Sequence, residues 1–219
     1  MSVDGKAVGA VKEYTFSNIA SNHTIHAEFT KTVIPTFTIT ASSGQGGGIS
    51  PEGAVEVAQN SDASFVVRPI TGYCILSVTV DGSSVGPLDE YTFKNVVANH
   101  TIHATFQRIT HTIFATAGQG GAVEPAGSTT VNEGDSRTVA ITPTTGYRML
   151  DVQVDGKGVG AVDSYTFSNI TADHTLQATF QKKTFTVTAI AGSGGGIDPS
   201  GTTTVEYGDA LSFEITPAA

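Results

Sequence analysis

The phrase "VDGKGVGAVDSYTFSNITADHTLQATF", Val154 to Phe180, stands close to the end of the chain. Nearly the same words, "VDGKAVGAVKEYTFSNIASNHTIHAEF", open it from Val3 to Phe29. A third copy begins its Tyr-Thr-Phe at Tyr91, so the motif recurs at Tyr14, Tyr91 and Tyr165. A glycine-rich phrase keeps step with it: "GQGGGISPEG" from Gly44, "GQGGAVEPAG" from Gly118 and "GSGGGIDPSG" from Gly192. The interval is 74 residues wherever "TKTVIPT", with Pro35, does not intervene. Solenoids and propellers repeat every 20 to 50 residues or so, because each repeat is one supersecondary unit leaning on its neighbours. A longer period predicts beads with small cores of their own. Domains of about 60 residues are marginal alone, so neighbours are expected to help.

The copies divide the chain into residues 1–29, the C-terminal half of a unit; 37–106 and 111–180, two complete units; and 185–219, the N-terminal half of a unit. The two halves are nearly complementary and together lack only a stretch like "GYRMLD", Gly146 to Asp151. One reading is head-to-tail completion between copies, since a half-unit exposes strand edges and an unburied apolar face that strand addition would satisfy. Donor and acceptor surfaces differ, so such contacts would repeat without closure and give a filament. The other reading is that the ends mark where a longer array was cut. The short "QKKT" connector before Phe185 leaves little slack between units.

Within a unit the apolar residues alternate. "SFVVRP", "TVAITP" and "SFEITP" align Phe65, Val139 and Phe213, then Val67, Ile141 and Ile215, on one face, with Glu214 on the other. Period 2 is the mark of a half-buried strand. The same rule turns Ile102, Ala104 and Phe106 inward and His103 and Thr105 outward; Phe185, Val187 and Ala189 form a further inward row. Asp81-Gly82 and Asp155-Gly156 sit between apolar runs, the strongest short signal for a type I′ hairpin. No segment carries helical apolar spacing over three turns. The expected fold is all-β: tandem small β-sandwich-like modules of six or seven strands, or compact half-barrels, arranged as beads in a rod. A β-grasp-like unit with one brief helical turn is the alternative.

These words together are Phe-Thr-Val-Thr-Ala at Phe185, the glycine turn with Pro199 and Gly201, Thr-Pro-x-x-Gly-Tyr at Thr142, Val-Asp-Gly at Val154, Tyr-Thr-Phe at Tyr165 and His-Thr-Leu-Gln-Ala-Thr-Phe at His174. The combination closely resembles the divergent internalin-type B repeat family of bacterial surface proteins, over essentially the whole chain. The resemblance implies tandem modules in large secreted or cell-surface bacterial proteins, serving as spacers, adhesive stalks or interaction modules. It brings no catalytic residues, and its internalin relatives imply a β-grasp-like fold.

Net charge is −9, from 11 Lys and Arg against 20 Asp and Glu, with no basic stretch able to follow a phosphate backbone; nucleic acid is not an expected partner. No apolar run approaches the 18 or so residues of a membrane span, and the N-terminus lacks the regions of a signal peptide. The expectation is a soluble, mature or excised piece working outside the cell or at its surface. Cys74 is the single cysteine and its counterpart is Arg148, which places it near the rim as an incidental thiol. An intermolecular disulfide is the alternative role.

Histidines at His23 and His26, and at His100 and His103, suggest metal ligands, but residues i and i+3 of a strand face opposite ways and the second complete unit writes Gln177 at the second position. His111 replaces the aromatics Phe37 and Phe185 and is expected in a core or at a junction, with a pH switch as its functional reading. The runs Gly44 to Gly48, Gly118 to Gly121 and Gly192 to Gly196 lack the lysine and following helix of phosphate loops and read as turns. Asp4, Asp81 and Asp155 belong to hairpins rather than to a calcium loop. No recurring triad or carboxylate pair stands out, so no catalytic, cofactor-binding or metal-ligating residue is assigned, and no cofactor is expected. The expected function is a non-enzymatic structural stalk, rod or filament whose main partner is another copy. An adhesin binding a surface glycan or protein is the alternative, although Trp is absent and only Tyr207 among six tyrosines lies outside the repeated framework. A region accessory to an enzyme ranks third.

Overall fold

The computed structural model describes residues 1–218. Every regular element among them is a strand. The first complete unit contains β4 (Thr36–Ser43), β5 (Gly47–Ser50), β6 (Gly53–Ala58), β7 (Ala63–Pro69), β8 (Tyr73–Val80), β9 (Ser83–Gly86), β10 (Glu90–Phe93) and β11 (His100–Arg108); preceding it are the short β1 (Ser2–Val3), β2 (Lys6–Ala7) and β3 (Ile25–His26). The second unit repeats the pattern as β12 (Thr110–Ala117), β13 (Gly121–Glu124), β14 (Gly127–Asn132), β15 (Arg137–Pro143), β16 (Tyr147–Val154), β17 (Lys157–Gly160), β18 (Ser164–Phe167) and β19 (His174–Lys182). The last segment holds β20 (Thr184–Ala189), β21 (Gly195–Asp198), β22 (Gly201–Glu206) and β23 (Glu214–Pro217).

Each complete unit is a two-sheet sandwich, and its eight strands exceed the six or seven expected because the Asp-Gly hairpin contributes a short strand of its own. In the first unit a five-stranded sheet, ordered β6-β4-β11-β8-β9, faces a three-stranded sheet, β10-β7-β5; the second unit is built alike. The period-2 pattern puts Ile39, Val78, Ile102 and Ala104 of the larger sheet against Ile49, Phe65, Val67 and Phe93 of the smaller one, all buried. Ile113, Val152, Leu176, Val123, Val139, Ile141 and Phe167 do the same in the second unit.

The first and last strands of a unit lie side by side and parallel: β4 beside β11, with His100 opposite Ile39, and β12 beside β19, with His174 opposite Ile113. A chain that enters along one strand and leaves along a parallel neighbour departs from the far end of the module. That topology passes the chain forward instead of folding it back.

His103 and Thr105 alternate with buried Ile102 and Ala104 on the outer face, each half-buried, and β8 skips Leu76 between the partners of Thr105 and Phe106, a bulge that bends the ladder. The inward rows of the last segment need correction. Ile215 is 74% exposed and Phe185 52% exposed, and Phe213 is half-buried ahead of β23. Their alternation is that of a core face, but the strands that complete both sheets in a whole unit, β8 to β11 in the first, come from the second half of the repeat. Likewise Ile25 is exposed, although its counterparts Ile102 and Leu176 are each 1% exposed.

Candidate functional site

The most regular side-chain cluster grows from the Asp-Gly hairpin. Asp81 has φ of 49° and Gly82 of 79°, and Asp155 and Gly156 have 50° and 77°, the positive pair that a type I′ turn needs. The turn holds each aspartate above the first residues of the unit's last strand. Asp81 accepts hydrogen bonds from Thr101 N–H at 2.8 Å and pairs with His100 Nδ1 at 2.7 Å. Asp155 repeats this with Thr175 N–H and His174, both at 2.8 Å. Asp4 does so with Thr24 N–H and His23 at the same distance. Each imidazole lies near a phenylalanine: His100 is 4.9 Å from Phe93 and His174 5.0 Å from Phe167, between ring centroids. Tyr91 and Tyr165 meet those phenylalanines edge-on. The cluster thus ties a hairpin tip and the last strand of the large sheet to the outer strand of the small sheet.

Electrostatics follow from this geometry. The His100 hydrogen bond and then the Thr101 N–H hold the Asp81 carboxyl below its ordinary range, and Thr24 N–H with His23 does the same for Asp4. Partial burial opposes ionisation of Asp155, but Thr175 N–H and His174 outweigh it and the carboxyl is again lowered. The arrangement resembles a catalytic dyad only on paper. The nearby hydroxyl, Thr101 Oγ1, donates to the carboxylate at 3.4 Å rather than to the imidazole, which reverses the order a nucleophile and its base require.

The other histidines disperse. His103 bonds to Ser42 Oγ at 2.8 Å, away from His100's partners, and His26 pairs with Glu28. Among the described residues no three His, Cys, Asp or Glu side chains gather around one point. His111 is half-buried within its own unit, with Nε2 3.3 Å from Glu133 and Nδ1 3.9 Å from Asp173. Cys74 is half-buried opposite Gln107, in the penultimate pair of the β8–β11 ladder.

The glycine runs form tight turns with an inward purpose that the repeat alone does not show. A Cβ on Gly46 would overlap the Tyr73 ring and one on Gly47 the Phe106 ring; Gly120 and Gly121 stand in the same relation to Tyr147 and Phe180. In the last segment nothing lies within 4 Å of a Cβ placed on Gly194, and that turn opens onto a hollow of about 390 Å³ lined by Ile190, Ala191, Ile197 and Ile215.

Junctions carry a second recurring geometry. Ile109, the one residue between β11 and β12, donates its N–H to Gly72 O at 2.9 Å and accepts from Glu133 N–H at 3.0 Å. Lys183 makes the equivalent bonds to Gly146 O and Tyr207 N–H, each 2.8 Å. Tyr207, which lies outside the repeated framework, covers Gly146 of the preceding unit so closely that a Cβ there would overlap its ring. Lys182 reaches across to Glu206 at 3.2 Å and Asp209 at 3.9 Å. At the first boundary Pro35 occupies the connecting position and accepts from Gln59 N–H, but a proline has no N–H to return to the unit before it.

The model of the divergent InlB B-repeat domain matches residues 37–110 and 111–184, one match for each eight-strand sandwich. The chain belongs to this family. The B-repeat assignment agrees with the motifs that carried the resemblance: the Gly-rich turn, Gly-Tyr, Val-Asp-Gly and Tyr-Thr-Phe are the residues that meet in the turn platforms and Asp–His clusters. No curated protein matches the chain in sequence. The aromatic platform over the glycines and the Asp–His pairing escaped the sequence reading. The fixed 19-residue interval between the Asp of Asp-Gly and the first His of each phrase was the signal that could have found the second.

Proposed function

We propose that this B-repeat chain is part of a non-enzymatic, extracellular structural array, a rod or stalk whose modules are held in line, and that its half-units join copies head to tail. The observation that carries the reading is the connector. One residue bonded on both sides links each sandwich to the next unit, and parallel first and last strands send the chain onward. The family's association with bacterial surface and secreted proteins supports the extracellular setting. Its repeat character, together with side chains spent on turns, clasps and junctions, supports a mechanical role over a catalytic one.

Exposed residues support the assembly step. Ile19 and Ile25 are 68% and 51% exposed where Val96 and Ile102 are each 1% exposed, and Phe29 stands 94% exposed where Phe106 covers a glycine turn. The hollow beside Gly194 is the surface that such a phenylalanine covers in complete units. A second copy carries the matching half.

Negative-stain microscopy and light scattering across a concentration series test the assembly. Head-to-tail oligomers or fibres are expected, and a dispersed monomer at every concentration refutes that part. Inserting four Gly-Ser residues after Ile109 tests the rod separately by small-angle scattering. The native chain is expected to have a narrower distribution of end-to-end distances than the insertion variant, and equal distributions refute a stiff junction.

A further inference from the structure

The outer face of the second module's large sheet differs from that of its sister. Phe114 on β12 points to solvent and is 49% exposed. Its neighbours across the ladder are Thr175 on β19 and, one pair further along, Thr116 opposite Gln177, which in turn faces Gln153 on β16. These residues line an open hollow of about 310 Å³, closed at one rim by Gly156 of the Asp-Gly turn. The corresponding places in the first module hold Thr40, Ser42, Thr79, Thr101 and His103, with no phenylalanine, tyrosine or tryptophan, and the polar pair His103 and Ser42 is spent on a mutual hydrogen bond. In the last segment Thr188 stands at the position of Phe114.

We propose that this face is a carbohydrate-binding site, with Phe114 as the stacking platform and Gln153 and Gln177 as the hydrogen-bonding arms. A pyranose ring has an apolar C–H face that packs on an aromatic face, and a rim of hydroxyls that both donate and accept. A primary amide also does both, with two donor hydrogens and an acceptor oxygen, so two amides can answer neighbouring hydroxyls. Phe114 supplies an exposed apolar surface at the edge of this polar set. Three strands about 4.8 Å apart give the platform a width suited to a disaccharide. The residues lining the hollow bear no charge, which favours a neutral or N-acetylated sugar over a phosphate or an acidic glycan. A single exposed ring amid hydroxyls and amides is also a poor seat for an apolar helix or acyl chain. An isolated strand phenylalanine needs no ligand to explain it. Its placement beside two amides that have no side-chain partner among the described residues, in one module out of two, is what points to one. The site goes beyond the array reading, and would make the rod adhesive.

Saturation-transfer NMR on the 219-residue chain, with cellotriose, N-acetylglucosamine trimer and galactobiose as separate probes at millimolar concentration, tests the site. Transfer to ring C–H protons of at least one probe is expected. Phe114→Thr, which installs the residue already present at positions 40 and 188, is expected to weaken that probe about fivefold to tenfold, the scale of one lost aromatic contact. Phe114→Tyr is expected to retain binding. Retention of the native amide spectrum by both variants keeps the comparison independent of folding, and the light-scattering profile of both is expected to match that of the native chain. No transfer to any probe overturns the proposal. Transfer undiminished in Phe114→Thr overturns it as well, by putting the sugar elsewhere.

Discussion

The aspartates of the Asp-Gly turns do two things at once, and both have measurable consequences. They accept the positive φ of the turn, and their carboxylates collect a backbone N–H and an imidazole from the strand beside it. Asp155→Ala removes the acceptor and leaves a non-glycine residue without a compensating bond in a left-handed conformation. A loss of about 1 kcal/mol is expected, read as a shift in the urea midpoint with the slope unchanged. The pH dependence follows from the lowered carboxyls. Asp4, Asp81 and Asp155 sit below the unfolded value near 3.8 in the folded chain, so their contribution is fully present above that value and is lost as pH falls through the folded ones. Urea unfolding between pH 7 and pH 3 is expected to show this loss only below about pH 4, and an Asp81→Asn, Asp155→Asn double variant is expected to flatten it. The identity of these residues was plain from the sequence as turn formers. Their partners were not, because the histidine arrives from the far strand of the same ladder.

At the scale of the element, alternation identified strands well and their neighbours badly. Val139 and Ile141 are buried as their period requires, while Ile215, in the same pattern, is exposed. A period-2 stripe states which side chains share a face; it does not state what covers that face. The glycine turns make the same point. They were legible as turns, but the reason for consecutive glycines is a tyrosine 27 residues on and a phenylalanine 59 residues on, stacked over the turn in the folded unit. Gly120→Ala meets both the Tyr147 ring and a φ of 99°, and is expected to destabilise its module by about 2–4 kcal/mol. Gly194→Ala, where the same turn lies open, is expected to leave the melting temperature of the complete modules unchanged.

For the whole molecule, the two classes of apolar residue separate folding from association. Ile141 is 2% exposed and Ile215 occupies the same repeat position at 74%. Ile141→Asp is expected to unfold its module, since an uncompensated buried charge rivals the whole stability of a small domain, on the order of 5 kcal/mol. Ile215→Asp is expected to spare the melting of both complete modules and to abolish concentration-dependent scattering. Equal behaviour of the two variants would refute a special role for the last segment. The junction offers a third contrast. Tyr207→Ala removes the ring over Gly146 and is expected to broaden the small-angle scattering distribution without unfolding either sandwich, because the contact it removes lies between units.

The repeat, the strands, the hairpin turns and the all-β class were all properties of short windows, and short windows are what a sequence displays directly. A dipeptide selects a turn through its allowed φ angles, and alternating side chains select a strand through its pleat, before any distant residue is consulted. The parallel pairing of first and last strands, the aromatic cover over the glycines, the Asp–His clasps and the bonded connectors depend on residues between 19 and 61 positions apart. Backbone hydrogen bonds of a ladder are chemically alike whatever the partner. The choice among partners is therefore made only when both faces of every sheet find their cover together, and that is a property of the folded chain.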